Sequence, residues 1–195
     1  MKHLSEDDYK VSTWSGGKTT ELAIAPEGAV YADRDFLWRM SSATVELDES
    51  EFTELPDYDR LITPLDGVMT LTHNGGEPVE LNPGDVDGFD GAWHTHSVGR
   101  CTDFNLMLRK GQCDGQITVL MPNTVDPAPQ HFVPDPQSGT LMLYCAAGSA
   151  AIRFPESIEQ LIGKEALLLE GEEITSVDLA ISAGGCVVAA EVWSI

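Results

Sequence analysis

The residue types best suited to specific chemistry lie on two apolar runs. On Leu37–Val45, the alternation of an extended chain puts Arg39 and Ser41 on one face with Leu37, Ala43 and Val45. A guanidinium among such neighbours is either at a strand end in water or buried with a partner. Leaving it buried and unpaired costs about 3–5 kcal/mol. Burial thus implies a carboxylate or an anionic ligand, either of which the guanidinium fork can grip. Asp103 and Asn105 share a face on their own extended run. Asp103 can orient Arg39, and Asn105 offers both a donor and an acceptor. The grouping reads as an anion or carboxylate pocket. The competing reading is a structural Arg–Asp bridge.

Asp59-Arg60 follows the turn sequence Pro56-Asp57-Tyr58, and adjacent strand residues point oppositely, so at most one enters a pocket. Structurally, Asp59 would cap the turn and Arg60 would pair with Asp90 or another acid. Trp14 beside Gly16-Gly17 is placed to set an indole at a pocket mouth, next to exposed backbone donors. Gly17-Lys18-Thr19 is not a phosphate-binding loop, since Ser12 stands where the first glycine is required. His94 and His96, two apart, could hold a zinc or iron ion with Asp87, Asp90 or His73, or could be two solvated loop histidines. Asp90 and Asp103 would form an acid–base pair if buried together. No Ser-His-Asp ordering or activated cysteine stands out, so no catalytic residue is assigned and no cofactor is expected.

The elements that must position these residues are strands. Short apolar runs recur between turn formers, including Leu61–Leu65, Val68–Thr72, Leu141–Ala146 and Cys186–Trp193, with Asn74-Gly75-Gly76 as a hairpin turn. Helix is expected only as a turn near Glu156–Leu161. Five of the eleven prolines fall between Pro122 and Pro136, predicting a stiff connector over 123–136 between a first part, 1–122, and a second, 137–195, that shares its core. Gly67 and Gly148 each open a similar glycine–strand–leucine pattern, consistent with two copies of one β unit.

Composition excludes several functions. The chain has 195 residues, 42% of them hydrophobic, enough for a real core. No apolar run approaches the roughly 18 residues of a membrane helix. The start, Met1 to Asp8, turns acidic where a signal peptide has its apolar segment, so a cytoplasmic protein is expected. With 32 acidic against 11 basic residues the net charge is −21, which repels phosphate backbones and argues against direct nucleic-acid binding. Cys101, Cys113, Cys145 and Cys186 have no zinc-like spacing and read as buried thiols.

Several motifs, in order, resemble the HutD/Ves family. Trp14-Ser15-Gly16-Gly17-Lys18-Thr19-Thr20-Glu21-Leu22 is similar to the family's opening, with Ser15 in place of its asparagine and only two glycines before Lys18. Phe36 to Ala43, Phe52 to Arg60, Leu65-Asp66-Gly67, Phe89-Asp90-Gly91 and Asp103 to Gly111 match further segments, with Asp57 in place of a glycine. Leu81-Asn82-Pro83-Gly84-Asp85 resembles the second cupin signature, whereas Phe52–Arg60 lacks the histidines of the metal-binding first signature. The resemblance implies an all-β, two-barrel cupin of jelly-roll type with little helix. Together with the residues it implies a non-catalytic binder of a small carboxylate metabolite. Candidates are histidine-degradation intermediates such as urocanate or a formyl or formimino glutamate, in a regulatory or stress-related role. The alternative is an isomerase or hydrolase using pocket carboxylates or a His94/His96 metal. A third reading is an interaction protein whose exposed sheets form a homodimer. The expected ligand contacts are Trp14, Arg39, Ser41, Asp59, Arg60, Asp90, Asp103 and Asn105.

Overall fold

Period-two alternation broken by turn formers folds the chain into antiparallel strands, described by a computed structural model for residues 1–122 and 128–195. In chain order they are β1 (Lys2–Leu4), β2 (Lys10–Trp14), β3 (Gly17–Ala25), β4 (Trp38–Val45), β5 (Glu49–Glu51), β6 (Tyr58–Gly67) and β7 (Met69–His73). Then come β8 (Val79–Leu81), β9 (Asp87–Asp90), β10 (Thr95–Val98), β11 (Cys101–Arg109), β12 (Cys113–Leu120) and β13 (Gln130–Phe132). The last are β14 (Thr140–Ala147), β15 (Ser149–Arg153), β16 (Ile158–Ile162), β17 (Ala166–Glu170), β18 (Val177–Ile181) and β19 (Cys186–Ser194). Helix among the described residues is limited to three-residue 3-10 turns, one of them Tyr31–Asp33. Among the described residues no helix is long and apolar enough to cross a membrane.

The chain packs as two units, Tyr9–Asp114 with Ile195, and Gly115–Ser194 with Met1–Asp8. In the Tyr9–Asp114 unit one sheet runs β2-β3-β4-β11-β6-β9 and the other β5-β10-β7-β8. In the Gly115–Ser194 unit the sheets run β12-β19-β14-β17-β1 and β13-β18-β15-β16. The faint repeat in the sequence is therefore a repeat in topology. The order β4-β11-β6-β9 corresponds to β12-β19-β14-β17, and β5-β10-β7-β8 to β13-β18-β15-β16. Gly67 and Gly148 turn the chain between matching strands, each at positive φ (80° and 69°), where a side chain would be strained. Both units also carry a register irregularity at the same place, between Thr102 and Asp103 against β6 and between Cys145 and Ala147 against β19.

Each unit has its own apolar cluster. In the first, Val45, Ile62, Met69, Leu71, Leu81, Phe89 and Cys101 meet inside. In the second, Leu141, Leu143, Val187 and Ala189 are among a larger set. The four cysteines are buried and unpaired with one another.

Three expectations about the elements change. Glu156–Leu161 holds no helical turn; Ile158–Ile162 is strand β16, whose backbone pairs with β15. The expected connector 123–136 lies partly outside the described residues, at 123–127. Part of the rest is strand β13, hydrogen-bonded to β18 despite the flanking prolines. The division also differs from one at residue 122: contacts change hands after Asp114, and the first eight residues join the later unit because β1 extends the sheet beside β17.

Candidate functional site

In the Tyr9–Asp114 unit the six-stranded sheet turns one face inward, apolar at one end and polar at the other. Val45 and Cys101 lie opposite one another at the apolar end. Further along the strands the lining becomes Arg39 and Ser41 on β4, Asp103 and Asn105 on β11, and Arg60 on β6, with Ile62 directly opposite Asn105. The register sets Met107 between Arg39 on one side and Arg60 on the other. These residues line a cavity of about 290 Å³. Ser50, Glu51, Phe52 and Thr53 supply another wall, and Ser12, Trp14 and Thr19 from the β2–β3 hairpin line it as well.

Arg39 is buried and held on three sides. Its Nε donates to Glu21 Oε2 at 2.7 Å, and Nη1 donates to Ser41 Oγ at 3.0 Å. Its Cζ lies 4.3 Å from the centroid of the Tyr31 ring, a cation–π contact. The hydrogen bonds of Arg39 to described residues run through Nε and Nη1, not Nη2. The register between β3 and β4 shifts between Glu21 and Ala23, opposite Ser41 and Met40, and Glu21 reaches Arg39 from there. Tyr31 comes from the 3-10 turn and is positioned by Tyr58. The Tyr58 ring stacks on Phe36 at 4.2 Å, and its hydroxyl accepts from the Phe36 N–H at 3.2 Å. The carbonyls of Phe36 and Arg34 lie 3.0 and 3.1 Å from the same hydroxyl.

Arg60 is equally buried but weakly bonded. Its Nη1 makes one 3.5 Å contact to the Thr53 carbonyl, and its Nε has no partner among the described residues. Its charge rests on Phe52 and Phe89, at 4.8 and 5.2 Å from the ring centroids. Burial pulls the guanidinium down to about 10, opposed by Tyr31 and Asp103 and reinforced by Arg39 and Arg34. Burial pushes the Asp103 carboxyl up to about 7, against the pull of Arg60 and of the Ala43 N–H. Asn105 Oδ1, buried beside them, has no partner among the described residues. Polar groups in this state are uncommon in a finished core.

The cavity brings together Trp14, Arg39, Ser41, Arg60, Asp103 and Asn105. Trp14 is 38% exposed at the rim, its indole lying where a Cβ on Gly16 would fall 1.9 Å from the ring. Two expected contacts are not in the lining. Asp59 is exposed on the opposite face of β6, as adjacency to inward-facing Arg60 requires. Asp90 is bound to Lys110 and accepts from the Ala92 N–H at 2.7 Å, so it pairs with neither Arg60 nor Asp103. The partner of Arg39 is also corrected: it is Glu21, while Asp103, on the strand between β4 and β6, feels the charge of Arg60. His96 Nδ1 lies 2.8 Å from Glu51 and His94 Nε2 3.4 Å from it. His73 is instead held by Asp87 and Thr95, each at 2.9 Å. Among the described residues no group of three or more His, Cys, Asp or Glu is placed to hold a metal ion.

Comparison with known proteins follows the same lines. A family model described as HutD matches residues 6–189. Protein Ves from Cronobacter sakazakii is 34% identical over 126 residues, covering 61% of this chain and 66% of that protein, just under two thirds of its length. A conserved protein of unknown function from Pseudomonas aeruginosa PAO1 superposes with a TM-score of 0.82 at 25% identity, over 99% of this chain and 98% of that one. HutD from Pseudomonas fluorescens SBW25, solved in a formate condition, gives 0.75 at 21% identity over 100% and 98%. Oxalate decarboxylase from Bacillus subtilis shares the fold alone, with a TM-score of 0.59 at 8% identity over 98% and 76%. The all-β cupin fold implied by the sequence is the fold adopted.

Proposed function

Because the chain belongs to the HutD family, we propose that it binds a small carboxylate-bearing metabolite in the Tyr9–Asp114 cavity, without transforming it. The observation that carries this reading is internal to the molecule. Register aligns Arg60, Asn105 and Asp103 with Leu141, Ala189 and Val187 of the Gly115–Ser194 unit. Those three residues fill an apolar core. The shared topology is thus built without a buried arginine, amide and carboxyl at these positions, so their presence in the other unit answers to something besides folding. One buried acid does occur in the second unit. Glu191, in the place of Met107, is fully used by Gln116 Nε2 at 2.7 Å and by the Asp135 N–H and Ser138 hydroxyl at 2.6 Å.

A carboxylate would meet Arg39 Nη2 and the nearly unpaired Arg60 above Met107, with Asn105 and Asp103 beside it and Trp14 at the rim. Charge-assisted bonds from both guanidiniums supply affinity, and the pre-set Arg39 lowers its entropic cost. The formate condition of the Pseudomonas fluorescens protein is compatible with such a site. Histidine-degradation intermediates, urocanate or a formyl or formimino glutamate, are the candidate ligands, and a regulatory or stress-related role would follow from sensing them. Calorimetric titration with formate, urocanate and N-formyl-L-glutamate tests the reading. Saturable binding to at least one, with the ligand recovered unchanged, is expected; flat titrations with all three contradict it. A second reading rests on Asp103, whose carboxyl near 7 suits a general acid or base. Loss of urocanate or N-formyl-L-glutamate from the same mixtures, abolished in Asp103→Asn, would establish the enzyme instead.

A further inference from the structure

The charges that line the cavity constrain how an anion can enter it. Arg39 is already matched by Glu21 at 2.7 Å. Asp103 feels the charge of Arg60. Glu51 on the β5 wall is tied to His96 at 2.8 Å. With Asp103 ionised, the two inward arginines are balanced by two acids before any ligand arrives. Arg34, stacked on Tyr31 at 4.2 Å from the ring centroid, lies outside the lining. An anion added to this arrangement would sit beside Asp103 as a second, poorly solvated negative charge. Like charges sharing a buried site do not both persist, and one of them takes a proton. Asp103 is the acid placed to do so. It is fully buried, it lacks the direct guanidinium bond that holds Glu21, and Asn105 Oδ1 beside it has no donor. Cys101, on the same strand, is itself a buried thiol pushed up by burial and contributes no charge.

Resting on the carboxylate-binding reading above, we infer that the cavity takes up its anionic ligand together with one proton from solvent, which forms an O–H bond on the Asp103 carboxyl. The ligand stays an anion between the two guanidiniums, and Asp103 changes from competitor to hydrogen-bond donor. Anion affinity is then a function of pH, set by this carboxyl: constant where Asp103 is already protonated and falling where binding must bring the proton in. The unshifted behaviour of a solvent-exposed carboxylate would give no such dependence near neutrality.

The experiment is calorimetric titration of the whole chain with sodium formate and with N-formyl-L-glutamate, whose carboxylates stay ionised from about pH 6 to about pH 8.5. Each titration is run in two buffers of different ionisation enthalpy, so that proton uptake is read directly. The dissociation constant is expected to be level near pH 6 and to rise about tenfold per pH unit above about 7. Proton uptake should climb from near zero to about one over the same range. Asp103→Asn should bind with pH-independent affinity and take up no proton. If that variant fails to fold, the two-buffer comparison on the wild type decides alone. Binding that is flat with pH and releases or absorbs no proton overturns the coupling and leaves the carboxylate reading intact. No binding of either probe at any pH overturns both.

Discussion

Arg39, Arg60 and Asp103 differ in how far the protein satisfies them, and the proposed function rests on that difference. Arg39 is held on three sides, whereas Arg60 has one 3.5 Å hydrogen bond and two ring contacts, and Asp103 is buried in the lining of the same cavity. The burial of Asp103 has a stability consequence whose sign is definite. Its folded carboxyl titrates near 7, above the ordinary 3.8, so the folded state keeps a proton that the unfolded chain releases between those values. The favourable contribution is complete below about pH 3.8 and is lost as pH rises to about 7. Asp103→Asn removes this loss. In thermal melts without ligand, its melting temperature relative to wild type should rise from about pH 5 to about pH 8; a constant offset contradicts the assignment. Alternation along β4 and β11 made the inward faces legible, since Arg39 with Ser41 and Asp103 with Asn105 needed only a period of two. Their pairing was not legible, because nothing local says that β11 is flanked by both arginines. Glu21 stood in the opening motif, but a register irregularity decides that it meets Arg39. Tyr31, in a 3-10 turn, has no periodicity to betray it.

The elements explain how a polar site is held in a sheet. The segment Ala29–Phe36 carries Tyr31 and is anchored through the Tyr58 hydroxyl, which also accepts from Arg109 Nη1 at 3.2 Å. Tyr58→Phe keeps the ring stacking on Phe36 but strips the Phe36 N–H and the two nearby carbonyls of this partner. A stability loss of about 1–3 kcal/mol in denaturant titrations is expected, the range for leaving buried groups unsatisfied. Loss of the clamp should also loosen Tyr31, so hydrogen exchange should rise across 29–36; unchanged protection there contradicts the anchoring role. Strand existence was well marked by apolar runs and by Asn74-Gly75, which turns with φ of 51° and 67°. The misreadings came from edges. At β16 the sequence alternates weakly, with exposed Ile158 and Ile162 around buried Leu161, and only pairing with β15 makes it a strand. At β13, flanking prolines suggested a connector, yet three residues between them suffice to pair with β18.

At the scale of the whole molecule, two units of one topology differ in what fills them, and a net charge of −21 surrounds a cavity that presents two arginines. Such an outer field slows the approach of anions, so on the proposed reading capture would rest on the short-range fit of Arg39 and Arg60. The charge and the family motifs were open in the sequence. That one barrel serves as an internal control for the other was not, because it depends on register rather than on similarity of residues. That control yields the most direct test: give the cavity its twin's filling, with Arg60→Leu, Asp103→Val and Asn105→Ala together, after Leu141, Val187 and Ala189. Replacing a buried ionic group by apolar residues is often neutral or stabilising by about 1–4 kcal/mol. The measurement is the melting temperature of the triple variant and of wild type, each with and without saturating N-formyl-L-glutamate. Wild type should gain stability with ligand, as binding to the native state requires. The triple variant should melt at least as high as unliganded wild type and show no ligand response. A triple variant that unfolds, beside a wild type indifferent to the ligand, would mean that these residues are scaffold and that the cavity binds no carboxylate.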